Sequence, residues 1–314
     1  MGWSNHNFRS GMVRGAAGQE NMRPISGAIL GSLWMLSSCI FYACSASLVR
    51  EIGDTYTPYQ MTMIRSLIAV AVLAPFYLRE GGSLMFIPKR FFMHLLTGVF
   101  TYLGIVFWFF ATASMPIADF FALQFVTPLL TMAFAIIFLR EQSDVRSWLA
   151  ALIGFSGVLV ILRPGIIEVS FAAVAALISA LFYASDNTVI KSLSRNVSPT
   201  MIVYYAHLLM IPISLPMAYT TWKTPGAYDF TVIVAICLCL TIAYLSVTKA
   251  IALTVARVVQ PVNFMRMPIA AIFGWVLFNE FPDIWTWIGA VIIFVATTYA
   301  VRRGARTAKG YKNS

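Results

Sequence analysis

Apolar residues in this chain come in long blocks separated by short polar breaks. Ten blocks follow in order: Gly27–Val49, Thr57–Tyr77, Phe91–Thr112, Ile117–Leu139, Ser147–Leu162, Val169–Ile190, Pro199–Tyr219, Phe230–Ala250, Val255–Leu277 and Trp285–Val301. A helix that crosses a bilayer needs roughly 17–25 mostly apolar residues, and nearly every block meets that length. The blocks are too long for barrel strands and do not alternate, so helices are the spanning form they predict. The pattern gives an all-α, polytopic membrane protein with ten transmembrane helices.

The polar breaks fix an orientation. Fifteen Lys and Arg residues fall on one set of alternate connections and on the two tails, against Arg50, Arg163 and Lys223 on the other set. The positive-inside rule then places both termini in the cytoplasm, with an even number of spans in the cytoplasmic membrane. Met1 to Ile25 is polar and lacks the apolar core of a cleavable leader, so the first block is expected to act as an uncleaved anchor.

Two halves of the chain match in register. Glu141, Asp144 and Trp148 recur as Glu280, Asp283 and Trp287 at a shift of 139. Phe41-Tyr42-Ala43 recurs as Phe182-Tyr183-Ala184 at a shift of 141, as do Arg50 as Lys191 and Pro58 as Pro199. Each copy holds five spans, an odd number, so the second copy enters the membrane from the opposite side. The expected domains are residues 26–165 and 166–302, two inverted five-helix repeats, flanked by cytoplasmic tails at 1–25 and 303–314. Inverted repeats recur in secondary transporters.

Composition agrees with this picture. Hydrophobic residues make up 60% and charged residues 11% of the 314, with a mean hydropathy of +0.80. Soluble domains carry about 25% charged residues. The net charge of +10 reads as membrane topology, and no nucleic-acid partner is expected. Cys39, Cys44, Cys237 and Cys239 lie inside apolar blocks without metal-ligand spacing and read as small packing residues. No cofactor is expected, and neither a phosphate-binding loop of the ATPase type nor a zinc-protease or serine-hydrolase motif is present.

Candidate chemistry lies in ionisable groups within the blocks, which cost several kcal/mol unless they meet a partner or a wet cavity. Arg65, His207 and Arg266 sit near the middle of their runs, where they either pair with a neighbouring helix or line a cavity. Asp119 lies near the outer end of span four and Asp186 near the cytoplasmic end of span six; each is a candidate for a cationic group, a buried arginine or a proton. Lys249 and Arg257 stand near helix ends, where they are expected to snorkel. Pro128 and Pro268 interrupt spans four and nine at nearly matching positions, which reads either as a central site or as plain helix bending for packing. Gln124, Asn263, Trp108 and Tyr204 are polar or aromatic residues near these positions, and Glu141 and Glu280 read as structural groups that close spans four and nine.

The runs PIADFFALQFVTPLLTMAFAIIFLRE (Pro116–Glu141), GFSGVLVILRPG (Gly154–Gly165) and FMRMPIAAIFGWVLFNEFPDIWTWIGAVII (Phe264–Ile293) resemble the drug/metabolite transporter superfamily, in its ten-helix EamA-type branch. Arg65 matches an arginine common in that family. The resemblance covers about Ser26 to Arg302. It implies a bundle of two inverted halves that moves small metabolites by alternating access through a central cavity. Members handle amino acids, nucleotide sugars, vitamins, quaternary amines or S-adenosylmethionine. The expectation is a secondary transporter of a small polar metabolite. The excess of buried positive charge favours an anionic or zwitterionic one, such as an amino acid or organic acid, over a cationic metabolite or drug. The partners are the bilayer, the substrate, and a coupling proton or counter-substrate. A membrane receptor or scaffold and an intramembrane enzyme are the readings from other classes; the first leaves the inverted repeat unexplained, and the missing catalytic motifs count against the second.

Overall fold

The computed structural model describes residues 24–52, 55–80, 90–139, 145–163, 170–194, 196–253 and 262–312. Glu141, Asp144, Arg257, Gln260 and Pro261 lie outside them, and nothing is described of the Trp148 side chain. The helices are α1 (Pro24–Ile52), α2 (Pro58–Arg79), α3 (Phe91–Ser114), α4 (Ile117–Gln124), α5 (Thr127–Leu139), α6 (Val145–Leu162), α7 (Phe171–Leu193), α8 (Pro199–Thr220), α9 (Ala227–Leu253), α10 (Arg266–Phe278) and α11 (Ile284–Lys312). No strand occurs among the described residues.

Seven spans are long and apolar enough to cross a membrane unaided, counting Ile117–Leu139 as one. The shorter apolar helices are Leu152–Leu162, Arg266–Phe278 and Ile284–Tyr299, on α6, α10 and α11. Large apolar side chains such as Phe138, Val276 and Val291 face outward and are well exposed. A soluble monomer does not carry such a surface; lipid does not oppose it. α11 stays helical to Lys312, past the Val301 boundary drawn from hydropathy.

Local signals set several helix starts. Pro58 and Pro199 open α2 and α8 at N1, and the hydroxyls of Thr57 and Ser198 accept from the backbone N–H groups of Gln60 and Met201. These are repeat-related positions, so the same cap is built twice.

Spans four and nine are not continuous, contrary to the blocks drawn from hydropathy alone. The N–H groups of Phe125 and Val126 reach back only three residues, to Ala122 and Leu123, before α5 begins. Met265 and Met267 do the same to Val262 and Phe264 at the start of α10. Each turn precedes a proline, Pro128 or Pro268, which has no N–H to carry the helix ladder through. The two turns, at 125–126 and 264–265, are 139 residues apart, and Phe125 and Phe264 pack edge to face with ring centroids 4.4 Å apart.

The strongest helix pairings are α1 with α9, α3 with α7, α2 with α8 and α6 with α11. Exchanging the two halves turns the first pairing into the second and leaves the other two unchanged. Direction also inverts. Arg50, at the C-terminal end of α1, bonds to Met115 O just beyond α3. Phe171, at the N-terminal end of α7, packs on Phe110 near that same end of α3, with centroids 5.0 Å apart. So α7 starts where α1 finishes. The α6–α11 pair crosses at glycines: a Cβ on Gly157 would stand 2.8 Å from Gly289 O and 2.7 Å from Ile293 Cγ1.

Candidate functional site

A cavity of about 380 Å³ lies where the two broken helices meet. Its walls come from α1 (Tyr42), α3 (Trp108), the α4–α5 break, α7 (Tyr183, Asn187, Lys191), α9 (Tyr244) and the start of α10 (Arg266). These are three repeat-related pairs of spans, so each half contributes equally. The α2–α8 and α6–α11 pairs stay behind the wall. The helices at the site are therefore the ones that change partner between halves, and the two self-related pairs form the frame.

Arg266 opens α10 and reaches the cavity. Its guanidinium carbon stands 4.4 Å from the centre of the Tyr42 ring and 5.7 Å from that of Phe121, and its Nε has no hydrogen-bonding partner. Aromatic faces thus hold the charge without neutralising it. Asn263 lines the cavity one turn earlier, with a buried Oδ1 that also lacks a partner. The Cys39 thiol lies 3.6 and 3.7 Å from the carbonyls of Val262 and Asn263, so this cysteine fastens α1 to the broken turn.

Gln124 holds the other break. Its Nε2 donates to Ser179 Oγ at 3.1 Å and Ala176 O at 3.3 Å, and its Oε1 accepts from Thr127 Oγ1 at 3.1 Å. Ser179 in turn donates to Gly104 O, so α3, α4, α5 and α7 are tied in one chain. Trp108 lines the cavity from α3 with its ring edge to face on Phe120. The C-terminal end of α4 and the N-terminal ends of α5 and α10 all lie at the cavity. Among the described residues, Arg266 and Lys191 are lining cations, and no aspartate or glutamate lines the cavity.

The structure thus brings Trp108, Gln124, Asn263 and Arg266 together and sets the remaining candidates apart. Arg65 is 2% exposed on α2, and its Nε and one terminal nitrogen lack partners. His207 is buried on α8; its Nδ1 bonds to Val203 O at 2.8 Å on its own helix and its ring lies 5.9 Å from Tyr244. Tyr204 stacks on Tyr77 at 4.2 Å between α2 and α8. These three stand on the frame helices and none lines the cavity, although Arg65 lies within electrostatic range of Asp186, Tyr42 and Tyr183 at its wall. Asp119 accepts from Thr286 Oγ1 at 2.7 Å, tying α4 to α11 at the Arg50 end. Asp186 is 1% exposed, one layer behind the wall, where Oδ2 accepts from Thr101 at 3.1 Å and from the Tyr244 hydroxyl at 2.9 Å.

Tyr183, a further aromatic candidate from the sequence, lines the cavity as well, and lining residues that the sequence did not single out include Tyr42, Tyr244, Asn187 and Lys191. Tyr42 and Tyr183 occupy equivalent places in the repeated Phe-Tyr-Ala motif, so the repeat itself was the signal for them. Lys191 counted there as an interfacial charge. Lys249, expected to snorkel, lies with its ammonium 4.5 Å from the centre of the Trp34 ring.

The EamA-like transporter family matches residues 29–163 and again 170–302. The chain belongs to the EamA-like transporter family. Relatives of this family member include a riboflavin transporter of Vibrio cholerae, 28% identical over 90% of this chain and 96% of that one. An S-adenosylmethionine uptake transporter of Rickettsia prowazekii is 24% identical over 86% of this chain and 92% of its own. The pseudopaline exporter CntI of Pseudomonas aeruginosa is 27% identical over 86% and 94%. A crystal structure with 18% identity superposes with a TM-score of 0.61 over 90% of this chain and 98% of that chain, which shows the shared fold. The protein is a multi-pass membrane transporter of small metabolites by its family and relatives.

Proposed function

We propose that this transporter carries an anionic or zwitterionic small metabolite across the cytoplasmic membrane by alternating access. Residues 26–165 and 166–302 are its two inverted repeats, with spans from both lining one central cavity, and residues 1–25 and 303–314 are cytoplasmic tails. The observation that carries the reading is the charge of the cavity: the Arg266 guanidinium on its wall, with its Nε unpartnered, and no carboxylate among its described lining residues. A carboxylate or similar acceptor group would meet Arg266 and the Asn263 amide. The apolar part of the metabolite would lie on Tyr42, Trp108 and Tyr183. With both termini in the cytoplasm, Lys191 and Ser194 stand at a mouth that faces inward.

A cationic cargo is the reading this lining opposes. Aromatic faces attract cations, but those of Tyr42 and Phe121 already carry the Arg266 guanidinium. The relatives named for uptake and for export use one fold in both directions, so cavity chemistry informs the cargo and not the direction.

The test is a thermal-shift screen of the purified protein against carboxylates, zwitterions, neutral rings and quaternary amines. A ligand at a hundredfold excess over its Kd stabilises by about 2.7 kcal/mol. Hits are expected among carboxylates and zwitterions and are expected to vanish in Arg266→Ala. Hits confined to quaternary amines, or undiminished in Arg266→Ala, overturn the reading.

A further inference from the structure

Behind the cavity wall is a carboxyl group with fewer partners than an ionised group in a dry interior requires. Asp186 forms no ion pair among the described residues. Its Oδ2 takes two hydrogen bonds from neutral hydroxyls, those of Thr101 and Tyr244, while its buried Oδ1 takes none. Charge reaches it from several helices. Arg65 on α2 acts on it from outside hydrogen-bonding range, and the phenols of Tyr42 on α1, Tyr183 on its own helix and Tyr244 on α9 lie within electrostatic range. His207 on α8 stands beyond Tyr244, and Lys191 lies further along α7 on the cavity wall.

Tyr244 joins this buried group to the cavity. Its side chain is part of the lining and its hydroxyl donates to Asp186 Oδ2. Asp186's helix neighbours Tyr183 and Asn187 also face the cavity. The carboxyl is therefore one hydroxyl away from the space the cargo occupies, and Tyr244 is a contact shared by both.

We propose that Asp186 is a proton-binding site reached from the cavity through the Tyr244 hydroxyl. Tyr244 passes its hydroxyl proton to Asp186 Oδ2 and its oxygen takes a proton from the cavity solution. The carboxylate becomes a neutral acid, the phenol is regenerated, and one proton is bound overall. Neutralising Asp186 leaves the Arg65 charge uncompensated beside the cavity. Proton and anion then favour each other, and by linkage each raises the affinity of the other equally. That last consequence rests on the anionic reading above; the proton site does not.

The experiment needs no cargo, so its failure is separate from a failure of the cargo assignment. The full-length protein in lipid nanodiscs is titrated and followed by infrared difference spectroscopy. The parent is expected to show a protonated-carboxyl C=O band that is lost, with gain of a carboxylate band, as pH rises. Asp186→Asn should lack this change and Asp186→Glu should restore it. In Tyr244→Phe, which keeps the ring but removes the relay, the midpoint should move and hydrogen–deuterium exchange of the carboxyl should slow. Identical titrations for the parent and a folded Asp186→Asn overturn the proposal. If Asp186→Asn does not fold, Tyr244→Phe decides alone: an unchanged midpoint and exchange rate refute it.

Discussion

The two ends of the bundle are held in different ways. At the Arg50 end, ties run between the halves at many points. Arg50 forms an ion pair with Glu280 across the halves and, within its own half, donates to Met115 O at 3.0 Å. Arg163 pairs with Asp283 at 2.6 Å, Asp119 accepts from Thr286, and Tyr56 donates to Asp229 at 2.5 Å. At the opposite end, Glu80 accepts from Ser198 at 2.5 Å and from Thr200 at 2.8 Å, which joins only the frame pair α2 and α8. There the cavity wall continues along Thr131, Lys191, Ser194 and Ile251. The site helices are thus held by ion pairs and carboxylate bonds at one end, while at the other the contact described between them is the Lys249 ammonium on the Trp34 ring, between α9 and α1. A transporter that alternates must break the first set and build a set like it at the second.

The largest way to break the tied end is to wedge the crossing beneath it. Gly157→Val places side-chain atoms where Gly289 O and Ile293 already stand, and backbone cannot move aside as a flexible side chain does. Overpacking costs typically 1–3 kcal/mol, and the upper part of that range, about 3 kcal/mol, is expected here. Thermal unfolding in detergent measures it. A loss of only a few tenths would show that α6 and α11 do not form a rigid base for Arg163 and Asp283.

Next comes the same truncation at both ends. Glu280→Ala leaves Arg50 part-buried without its carboxylate, and hydrogen bonds to charged groups contribute about 1.5–3 kcal/mol. Glu80→Ala removes two hydrogen bonds near the surface, where an exchange with water makes good much of the loss, about 0.5–1.5 kcal/mol. Equal losses in the two variants would erase the contrast between the ends.

The contrast also shows how far a sequence can be read. Span positions, the repeat and the two proline breaks follow from apolar run length and register, because those depend on one-dimensional spacing. Glu280 was readable as a structural group closing span nine, although its partner was not. The face of each helix was unreadable. Depth in the membrane singles out Arg65 and His207 as strongly as Arg266, yet those on α2 and α8 stop behind the cavity wall, and only packing between distant segments decides that. Tyr244 carries no sequence signal of its own; it becomes interesting because α9 pairs with α1 and brings its ring beside Tyr42's half of the cavity wall.

The smallest expected effect tests what kind of tie Arg50–Glu280 is. Burial pushes the Glu280 carboxyl above the ordinary carboxylate value, and the Asp119 charge adds to the push; the Arg50 charge and hydrogen bond and the Ile117 backbone pull it back without winning. The folded protein therefore binds this proton more tightly than the unfolded chain. The corresponding stability is fully present below the unfolded carboxylate pKa and is lost as pH rises through the raised folded value. An ion pair whose charges were repaid in full would give the opposite slope. Glu280→Gln keeps an acceptor for the Arg50 guanidinium without the charge, so it should remove this slope and cost less than Glu280→Ala, which leaves that donor without its side-chain acceptor. Unfolding midpoints of the parent and Glu280→Gln, measured from acid to neutral pH, should diverge in favour of the glutamine. Divergence in favour of the parent would mean that Arg50 wins at this end, and that the tie is a net electrostatic clamp and not a contact poised to open.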